Sequence, residues 1–489
     1  MARATKPRTR QADVVPIEHV HVAPLAIERF FDVLSAEQKA EFEETISRGR
    51  ELLAGRVVWS VNSTAKGGGV AELLRSLMAY ARAGGVDARW VVIGGEADFF
   101  RVTKRIHNHL HGWAGDGGPL GELERAIYES ACAGAARQLA ELVKPGDIVL
   151  LHDPQTAGLT AALKQRGAHV IWRAHVGLDL PNDYARDAWA FLQRYVEPAE
   201  AYVFSRQAYA WEPLDPDRVI IIPPSIDPFS PKNEELDAPA VRAILEASGM
   251  LADGASRPAV YLHQDGTPGR IDRHVELVGN VGLPDDTPLV TQVSRWDRLK
   301  DPLGLIESFV TGVAHDSDAH LLLAGPETSA VADDPEGAGV LNACIERWHS
   351  LAPEMRPRIH LALLPMADTE ENAAMVNAIQ RWSTVVVQKS LAEGFGLTVA
   401  EAMWKGKPVV AGAVGGIQDQ IVNGESGLLV PPEDLRAFGE AMLGLLLDPE
   451  RAEQIGRSAQ ERVRQEFLGS RHLRQYVDLF ERVIGGWST

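Results

Sequence analysis

Residues Ser390–Glu401 read S-L-A-E-G-F-G-L-T-V-A-E and lie between a short β-branched run and a helical pattern. The run Thr384–Val387 (T-V-V-V) before them is typical of a buried strand. The stretch L-T-V-A-E-A-M-W-K predicts a helix that stops at Gly406, and Pro408–Ala411 is a second apolar run. Strand, glycine loop, helix and strand form one βαβ unit, which predicts an α/β fold with a parallel sheet. Ligands of such sheets bind at the carboxyl ends of strands, where this loop would lie.

The loop combines two glycines with two carboxylates. Gly394 and Gly396 allow close approaches that a Cβ would block, and the N–H groups that open the helix favour an anion. Glu393 and Glu401 have seven residues between them and would both face the crevice, where carboxylates accept hydrogen bonds from hydroxyls of a sugar or ribose. Alternatively, Glu401 only complements the positive end of its own helix. The coincidence of loop and acids favours a ligand site.

Composition limits the class of protein. At 489 residues, with 45% apolar and 24% charged residues, the chain can form two or three domains. Its net charge of −18 argues against broad nucleic-acid binding. Cys132 and Cys344 form no metal or redox spacing, so a reduced cytoplasmic protein is expected. No apolar run approaches a membrane span, and the basic start is not followed by the apolar segment of a secretory signal.

A second strand, glycine loop and helix lie in the first half of the chain. Arg56–Val61 predicts a strand, and Val70–Arg82 places its apolar residues on one helical stripe. Gly67, Gly68 and Gly69 between them could bring backbone close to a phosphate or sugar. A flexible turn is the alternative, since a lone glycine triplet is a weak signal. Its place between strand and helix favours the binding role.

Two further strands of this half end in polar clusters. Asp147–Leu151 leads into H-D-P-Q, which contains Asp153, and V-I-W-R-A-H-V-G-L-D-L-P contains Arg173, His175 and Asp179. A single histidine after a strand is usually structural, but two successive strands with polar ends predict a site.

The sequence offers little for a metal. His107 and His111 could share a helix face, yet no carboxylate or cysteine completes a set, so packing or a polar lining is the preferred interpretation. No D-x-D element lies in a loop where a metal-dependent transferase would need it.

The second half begins after a proline-rich linker. Val219–Ile222 predicts the last strand before P-P-S-I-D-P-F-S-P-K-N, and Leu289–Val293 predicts a strand that is followed by Arg295 and Lys300. Arginine offers a fork for phosphate oxygens and lysine a point charge, so the two could meet a diphosphate. Taken alone, this spacing is common on surfaces.

The loop Glu393–Glu401 resembles the E-x7-E element of retaining glycosyltransferase family 4, whose members are two-domain GT-B enzymes that use nucleotide sugars. Four stretches are similar to the trehalose glycosyltransferring synthases within it: V-N-S-T-A-K-G-G-G-V-A-E, F-F-R-V-T-K-R-I-H-N, H-D-P-Q-T-A and W-R-A-H-V-G-L-D-L-P. The resemblance implies two Rossmann-like doubly wound domains facing a central cleft, with a C-terminal helix that crosses back to the first. After the basic start, which is interpreted as a disordered tail (1–20), the resemblance divides the chain into an acceptor domain (21–222), a linker (223–235), a donor domain (236–468) and the crossing helix (469–489).

The resemblance also implies site residues. The catalytic residues would be Arg295, Lys300, Glu393 and His175. Donor-binding residues would be Gly68, Gly69, Gly394, Phe395, Gly396, Leu397 and Glu401. Acceptor-binding residues would be Asp153, Arg173 and Asp179, and no metal is expected.

The implied reaction makes trehalose, reversibly and with retention, from a nucleoside diphosphate glucose (ADP-, UDP- or GDP-glucose) and free glucose. It needs no further cofactor, and the expected protein is a cytoplasmic homodimer that binds neither nucleic acid nor membrane. Trehalose phosphorylase, another family 4 hexosyltransferase and a non-catalytic sugar-nucleotide binding protein are the alternatives.

Overall fold

The structure is a computed structural model that describes residues 15–65, 68–252, 257–280, 282–328 and 336–486. The chain divides into a first unit, formed by 1–24, 48–221 and 478–489, and a second unit, formed by 25–47 and 222–477. Each unit contains a seven-stranded, mostly parallel sheet. This confirms the predicted α/β class with two Rossmann-like domains.

The first unit contains strands β1 to β7, in the order β1-β3-β2-β4-β5-β6-β7, with β1 antiparallel. They are β1 Glu18–Val20, β2 Val57–Asn62, β3 Asp87–Val92, β4 Ile148–His152, β5 His169–Ala174, β6 Ala201–Phe204 and β7 Val219–Ile221. The helices of this part of the chain are α1 Ala36–Leu52, α2 Gly68–Ala83, α3 Ala97–Leu110, α4 Glu122–Leu142, α5 Asp153–Thr156, α6 Thr160–Gln165 and α7 Asp183–Val196.

The first core is rich in buried tryptophan, and the indole N–H groups of three of these residues bind oxygen atoms at or beyond strand ends. Trp59 donates to Asp147 Oδ2 (3.0 Å) and Trp90 to Asn62 Oδ1 (2.8 Å). Trp172 donates to the carbonyl of Asp153 (3.1 Å). Because a buried N–H without a partner is costly, these bonds hold the strand ends in register with the loops that follow them.

The second unit contains a hairpin of β8 and β9 and a sheet in the order β10-β13-β12-β11-β14-β15-β16, with β10 antiparallel. The strands are β8 Val260–Leu262, β9 Pro268–Arg270, β10 Glu276–Leu277, β11 Leu289–Val293, β12 His320–Pro326, β13 Ile359–Leu364, β14 Val385–Gln388, β15 Val409–Gly412 and β16 Leu428–Val430. The helices are α8 Ala238–Ala247, α9 Pro302–Gly312, α10 Gly337–Ser350, α11 Thr369–Trp382, α12 Leu397–Trp404, α13 Ile417–Gln420, α14 Leu435–Leu447, α15 Pro449–Glu466 and α16 Gly469–Ile484.

Each sheet has a switch point, where chain order reverses between neighbouring strands. In the first sheet it lies between β2 and β4, and in the second between β11 and β14. Loops that leave the carboxyl ends of these pairs diverge and leave a crevice for ligands. The crevice of each unit is therefore placed beside the loops that contain most of the predicted site residues.

The structure differs from the predicted domain boundaries at both ends. The predicted tail 1–20 includes β1, whose Val20 pairs with Trp90, and the Ile17 N–H donates to Gln138 Oε1 (3.1 Å); residues 1–14 lie outside the described ranges. Residues 25–47 belong to the second unit because Phe30 packs on Phe229 (centroids 5.4 Å apart). The segment 236–285 contains α8 and a hairpin where short helices and loops were predicted.

The last helix, α16, begins in the second unit and ends in the first. Its final turns pair with Arg48 through Asp478 (2.7 Å) and Glu481 (2.8 Å), all within the first unit. The predicted crossing helix thus starts at Gly469, and its residues up to Val477 remain with the second unit.

Candidate active site

The loops after β11 and β14 bring a cation and a carboxylate together. Lys300 Nζ donates to Glu393 Oε2, and the hydroxyl of Ser390 donates to the same oxygen (3.1 Å). Arg295 is the most exposed cation of this group, with 58% of its side chain accessible, and its Nη2 lies 3.4 Å from Asp297 Oδ2. A carboxylate with two donors and a nearby exposed guanidinium can exchange partners when a charged ligand arrives.

The glycine loop between Glu393 and α12 requires glycine for a geometric reason. Gly396 has φ of +86°, and a Cβ there would lie 3.0 Å from Ile417 Cγ1 and 3.2 Å from Glu393 Cγ. The Gln420 amide donates to the carbonyls of Phe395 and Gly396. The Gln420 side chain therefore fixes the backbone of the loop. A side chain at Gly396 would require Glu393 to shift.

The other predicted donor-binding residues of this loop lie at the start of α12. Leu397 is its first residue, and the N–H of Gly416 donates to the carbonyl of Gly394 (3.2 Å). The ring of Phe395 is buried and packs against Phe467 (centroids 5.7 Å apart). The Phe395 ring therefore contributes packing.

Glu401 lies one turn into α12, and only 2% of its side chain is exposed. Lys232 Nζ lies 3.5 Å from Glu401 Oε1. The neighbouring Lys405 is buried and donates to Gln380 Oε1 (2.8 Å), Asn233 Oδ1 (3.0 Å) and the Glu401 carbonyl (3.1 Å). Burial lowers the pKa of Lys405 to about 7, although Glu401 acts in the opposite direction. The Glu401 carboxylate therefore faces the ammonium of Lys232, with the Lys405 amine close enough for a Coulombic effect.

In the first unit the switch point lies between β2 and β4. Asn62 ends β2 and its amide donates to the Thr64 carbonyl (2.6 Å), while α2 begins at Gly68 and continues through the exposed Gly69. Gly67 of the predicted triplet lies outside the described residues. Gly68 and Gly69 therefore open the helix that follows β2 at the switch point.

His152, Asp153, Arg173 and His175 meet at the ends of β4 and β5. His152 Nδ1 and His175 Nε2 are 3.1 Å apart, so one donates and the other accepts. Asp153 has φ of +63° and its Oδ1 accepts the His175 N–H (2.8 Å). Asp153 tolerates this left-handed conformation better than most side chains because its short carboxylate bonds to nearby backbone.

Burial controls the charge of this cluster. Desolvation raises the pKa of Asp153 to about 7, against the opposing effects of the His175 N–H and of Arg173. Desolvation and the Arg173 charge lower the pKa of His152 to about 3 and that of His175 well below its usual range. Both imidazoles are therefore neutral at physiological pH, and each can donate or accept one hydrogen bond.

Asp179, the third predicted acceptor-binding residue, pairs with Arg206, whose Nη1 lies 2.8 Å from Asp179 Oδ1. Asp179 belongs to the loop after β5, like His175. Asp153, Arg173 and His175 therefore lie together at the carboxyl ends of β4 and β5. Asp179 lies further along the loop after β5, in an ion pair with Arg206.

Several residues of these clusters escaped the sequence interpretation. Lys232 and Arg206 are partners of the predicted residues Glu401 and Asp179, and His152 was noted only as part of a motif. Lys389 and Asp301 pair with each other beside the predicted Lys300. A lysine directly after an apolar strand, as in V-V-V-Q-K, is the signal that could have identified Lys389. The others depend on contacts between distant parts of the sequence.

The described residues contain no group of three or more His, Cys, Asp or Glu side chains placed to hold a metal ion. His107 and His111 contact each other edge to face, with ring centroids 4.8 Å apart. Within the same ranges, no helix is long and apolar enough to cross a membrane.

Comparison with known proteins places the chain in a family. The family described as trehalose synthase, N-terminal domain, matches residues 60–211, and that of glycosyl transferases group 1 matches residues 276–462. A trehalose synthase of Pyrococcus horikoshii is 35% identical over 461 residues, which cover 94% of this chain and 97% of that protein. A trehalose phosphorylase of Grifola frondosa is 28% identical over 450 residues, which cover 88% of this chain and 57% of that protein.

Among solved structures, an α,α-trehalose 6-phosphate synthase from Burkholderia multivorans aligns with a TM-score of 0.61 at 16% identity. The alignment covers 88% of this chain and 98% of that one. At this identity the likeness concerns the fold.

Proposed function

This chain belongs to the trehalose synthase family of GT-B glycosyltransferases, and we propose from that premise that it joins glucose from a nucleoside diphosphate glucose to free glucose, forming trehalose with retention at the anomeric carbon. The glycosyltransferase class, the GT-B fold and the link to trehalose metabolism follow from the relatives. The observation that best supports the specific reaction is the Lys300–Glu393 pair beside the glycine loop at the switch point of the second sheet.

The second unit has the charges that a sugar diphosphate needs. In the proposed complex, Lys300 and Arg295 bind the diphosphate, and the backbone N–H groups at the start of α12 face the same anion. Glu393, released from Lys300, accepts hydrogen bonds from the hydroxyls of the transferred glucose. Glu401 accepts from the ribose. Placement of cations where the leaving group gains charge stabilises the transition state more than the ground state.

The proposed transfer balances without a redox step. The bond between the anomeric carbon and the β-phosphate oxygen breaks, and the acceptor's anomeric hydroxyl oxygen forms the new bond on the same face. The acceptor proton passes to the departing diphosphate. The same steps in reverse regenerate the donor from trehalose and nucleoside diphosphate, so the reaction is reversible.

The first unit offers hydrogen-bonding groups that suit an uncharged acceptor. Burial raises the pKa of Asp153 to about 7, and His175 beside it is neutral. In the proposed complex Asp153 binds acceptor hydroxyls, while His175 is catalytic and contacts the donor sugar near the reacting carbon. A neutral imidazole and a carboxyl group can hold sugar hydroxyls in one orientation. A fixed orientation of the reacting groups lowers the activation free energy of the transfer. Arg173 and Asp179 complete the proposed acceptor residues.

A second candidate is phosphate-dependent cleavage of trehalose, because a trehalose phosphorylase is among the relatives. Inorganic phosphate would then occupy the position of the β-phosphate beside Lys300 and Arg295. Glucose 1-phosphate formed from trehalose and phosphate, with no nucleotide present, would select this reaction.

The deciding experiment is a product assay. Purified protein is incubated with glucose and ADP-, UDP- or GDP-glucose in turn, with and without EDTA, and the sugar is identified by nuclear magnetic resonance. We expect an α,α-1,1 disaccharide that Glu393→Gln reduces at least about 100-fold. Glu440→Gln, which alters an exposed ion pair with Arg436, is the control and should keep full activity.

The outcomes separate the alternatives. No disaccharide from any donor, together with trehalose phosphorolysis, would replace the synthase proposal by the phosphorylase. Nucleotide binding without turnover in any acceptor screen would indicate a non-catalytic sugar-nucleotide binding protein. Light scattering of the same sample tests the expected homodimer.

A further inference from the structure

A second ion pair lies next to Lys300 and Glu393, with the charges reversed. Lys389 directly follows β14, and its side chain is 0% exposed. Its ammonium donates to Asp301 Oδ2 and to the Pro432 carbonyl (3.0 Å). A buried ammonium is unfavourable unless an opposite charge accompanies it, so the carboxylate of Asp301 is needed to stabilise the buried Lys389.

The backbone conformation around Asp301 leaves room for its ion pair with Lys389. Asp301 has φ of +44°, and its Oδ1 accepts the N–H of Gly304 (3.0 Å), which caps α9. A Cβ on Gly304 would lie 2.7 Å from Lys389 Nζ and would clash with the Asp301 carboxylate. Glycine is a weaker helix former than alanine, but it leaves room at this position for the ion pair.

Hydrogen bonds to backbone groups also connect the loop after β11 to the loop after β14. The side chain of Gln292 accepts the N–H of Lys389 (2.8 Å) and donates to the carbonyl of Lys300 (2.9 Å). The N–H of Leu391 donates to the carbonyl of Leu299 (2.7 Å). The turn that carries Lys300 is therefore fixed on both sides, by Asp301 after it and by Leu299 before it.

We infer that Lys389 and Asp301 are positioning residues, which hold the ammonium of Lys300 at the place where it meets the β-phosphate of a nucleoside diphosphate. The inference rests on the proposed function, in which Lys300 binds the donor diphosphate. Lys389 itself is enclosed by Asp301, Pro432 and the ring of Phe438 and acts through the turn.

The test compares nucleotides that differ in one phosphate. Lys389→Met, Asp301→Asn and the double variant are titrated calorimetrically with ADP, UDP and GDP, each against its monophosphate. We expect each single variant to weaken diphosphate binding by about 10- to 100-fold, because small misplacements of a charged group have effects of this size. Monophosphate binding should change less than about twofold, since it lacks the β-phosphate. Arg347→Met, which removes the partner of Glu307 on the same helix α9, is the control and should bind both as the wild type does.

The double variant separates positioning from charge compensation. It removes both buried charges, so its melting temperature should recover relative to Lys389→Met, while diphosphate binding stays weak. Recovery of diphosphate affinity in parallel with the melting temperature, or an equal loss of mono- and diphosphate binding, would overturn the inference. If Lys389→Met does not fold, Asp301→Asn still decides, because it keeps the side-chain volume and the helix cap. A wild type that binds no diphosphate would instead refute the proposed function, and the positioning role with it.

Discussion

The clusters in the two units solve the problem of burying polar groups in different ways. After β11 and β14, carboxylates lie against cations: Glu393 with Lys300 and Asp301 with Lys389. After β4 and β5, the groups are desolvated and their pKa values shift toward the neutral forms, as for Asp153 and His175. Paired charges can be exchanged for those of a charged ligand, whereas neutralised groups suit hydroxyls. This difference agrees with our proposal of a charged donor in the second unit and an uncharged acceptor in the first.

The largest effect is expected from breaking a pair in the second unit. Lys300→Met leaves Glu393 without its cation and removes one of the two proposed phosphate-binding side chains. We expect the turnover number with the preferred donor to fall by about 1,000-fold, the upper range for loss of one donor to a developing negative charge. Arg298→Met alters an exposed cation of the same turn and should stay within about twofold. Equal loss in both variants would mean that net charge, and no specific contact, matters.

An intermediate effect is expected at the glycine loop. Gly396→Ala places a methyl group 3.0 Å from Ile417 Cγ1 at φ of +86° and should reduce the free energy of unfolding by about 2 kcal/mol. Gly444→Ala is the matched control, because nothing lies within 4 Å of its Cβ inside α14, and it should stabilise by about 0.5 to 1 kcal/mol. Chemical denaturation measures both. If Gly396→Ala left the free energy of unfolding unchanged, the loop would have to accommodate the methyl group by a backbone shift.

The smallest effect is expected in the first unit and depends on pH. Asp153 keeps its proton up to about pH 7 in the folded state, against an ordinary pKa of 3.8. The folded state binds more protons in this window, so the free energy of unfolding falls as the pH rises from about 4 to about 7. Asp153→Asn does not titrate, accepts the same His175 N–H and tolerates the left-handed backbone.

The variant should therefore gain stability relative to the wild type as the pH rises from about 4 to about 7. A gain on the order of 1 kcal/mol is expected, because Asp153 is partly exposed. Melting temperatures across this range measure it. A difference that does not change with pH would show that Asp153 is ionised throughout.

Local patterns in the sequence were enough for the strands and helices around the glycine loops. The β-branched run before Glu393 forms β14, because a strand that is buried on both faces is apolar along its whole length. The apolar stripe after Gly69 forms α2, because a helix buried on one face repeats its apolar residues every three to four positions. The segment 25–47 could not be assigned from such patterns. Its place in the second unit depends on Phe30 meeting Phe229, a contact between residues far apart in the chain.

The sequence alone determined which residue types follow which strands. It therefore determined that Asp153 and His175 lie at the carboxyl ends of strands in one parallel sheet, and Lys300 and Glu393 at those of another. Only the tertiary structure decided their state. Strand order made β11 and β14 neighbours, which joined Lys300 to Glu393 and Lys389 to Asp301. Desolvation at the ends of β4 and β5 moved the pKa of Asp153 toward 7 and kept His175 neutral. Residue identity sets what a group can do, but solvent access and the nearest charge set which form it takes, and both arise when distant segments pack together.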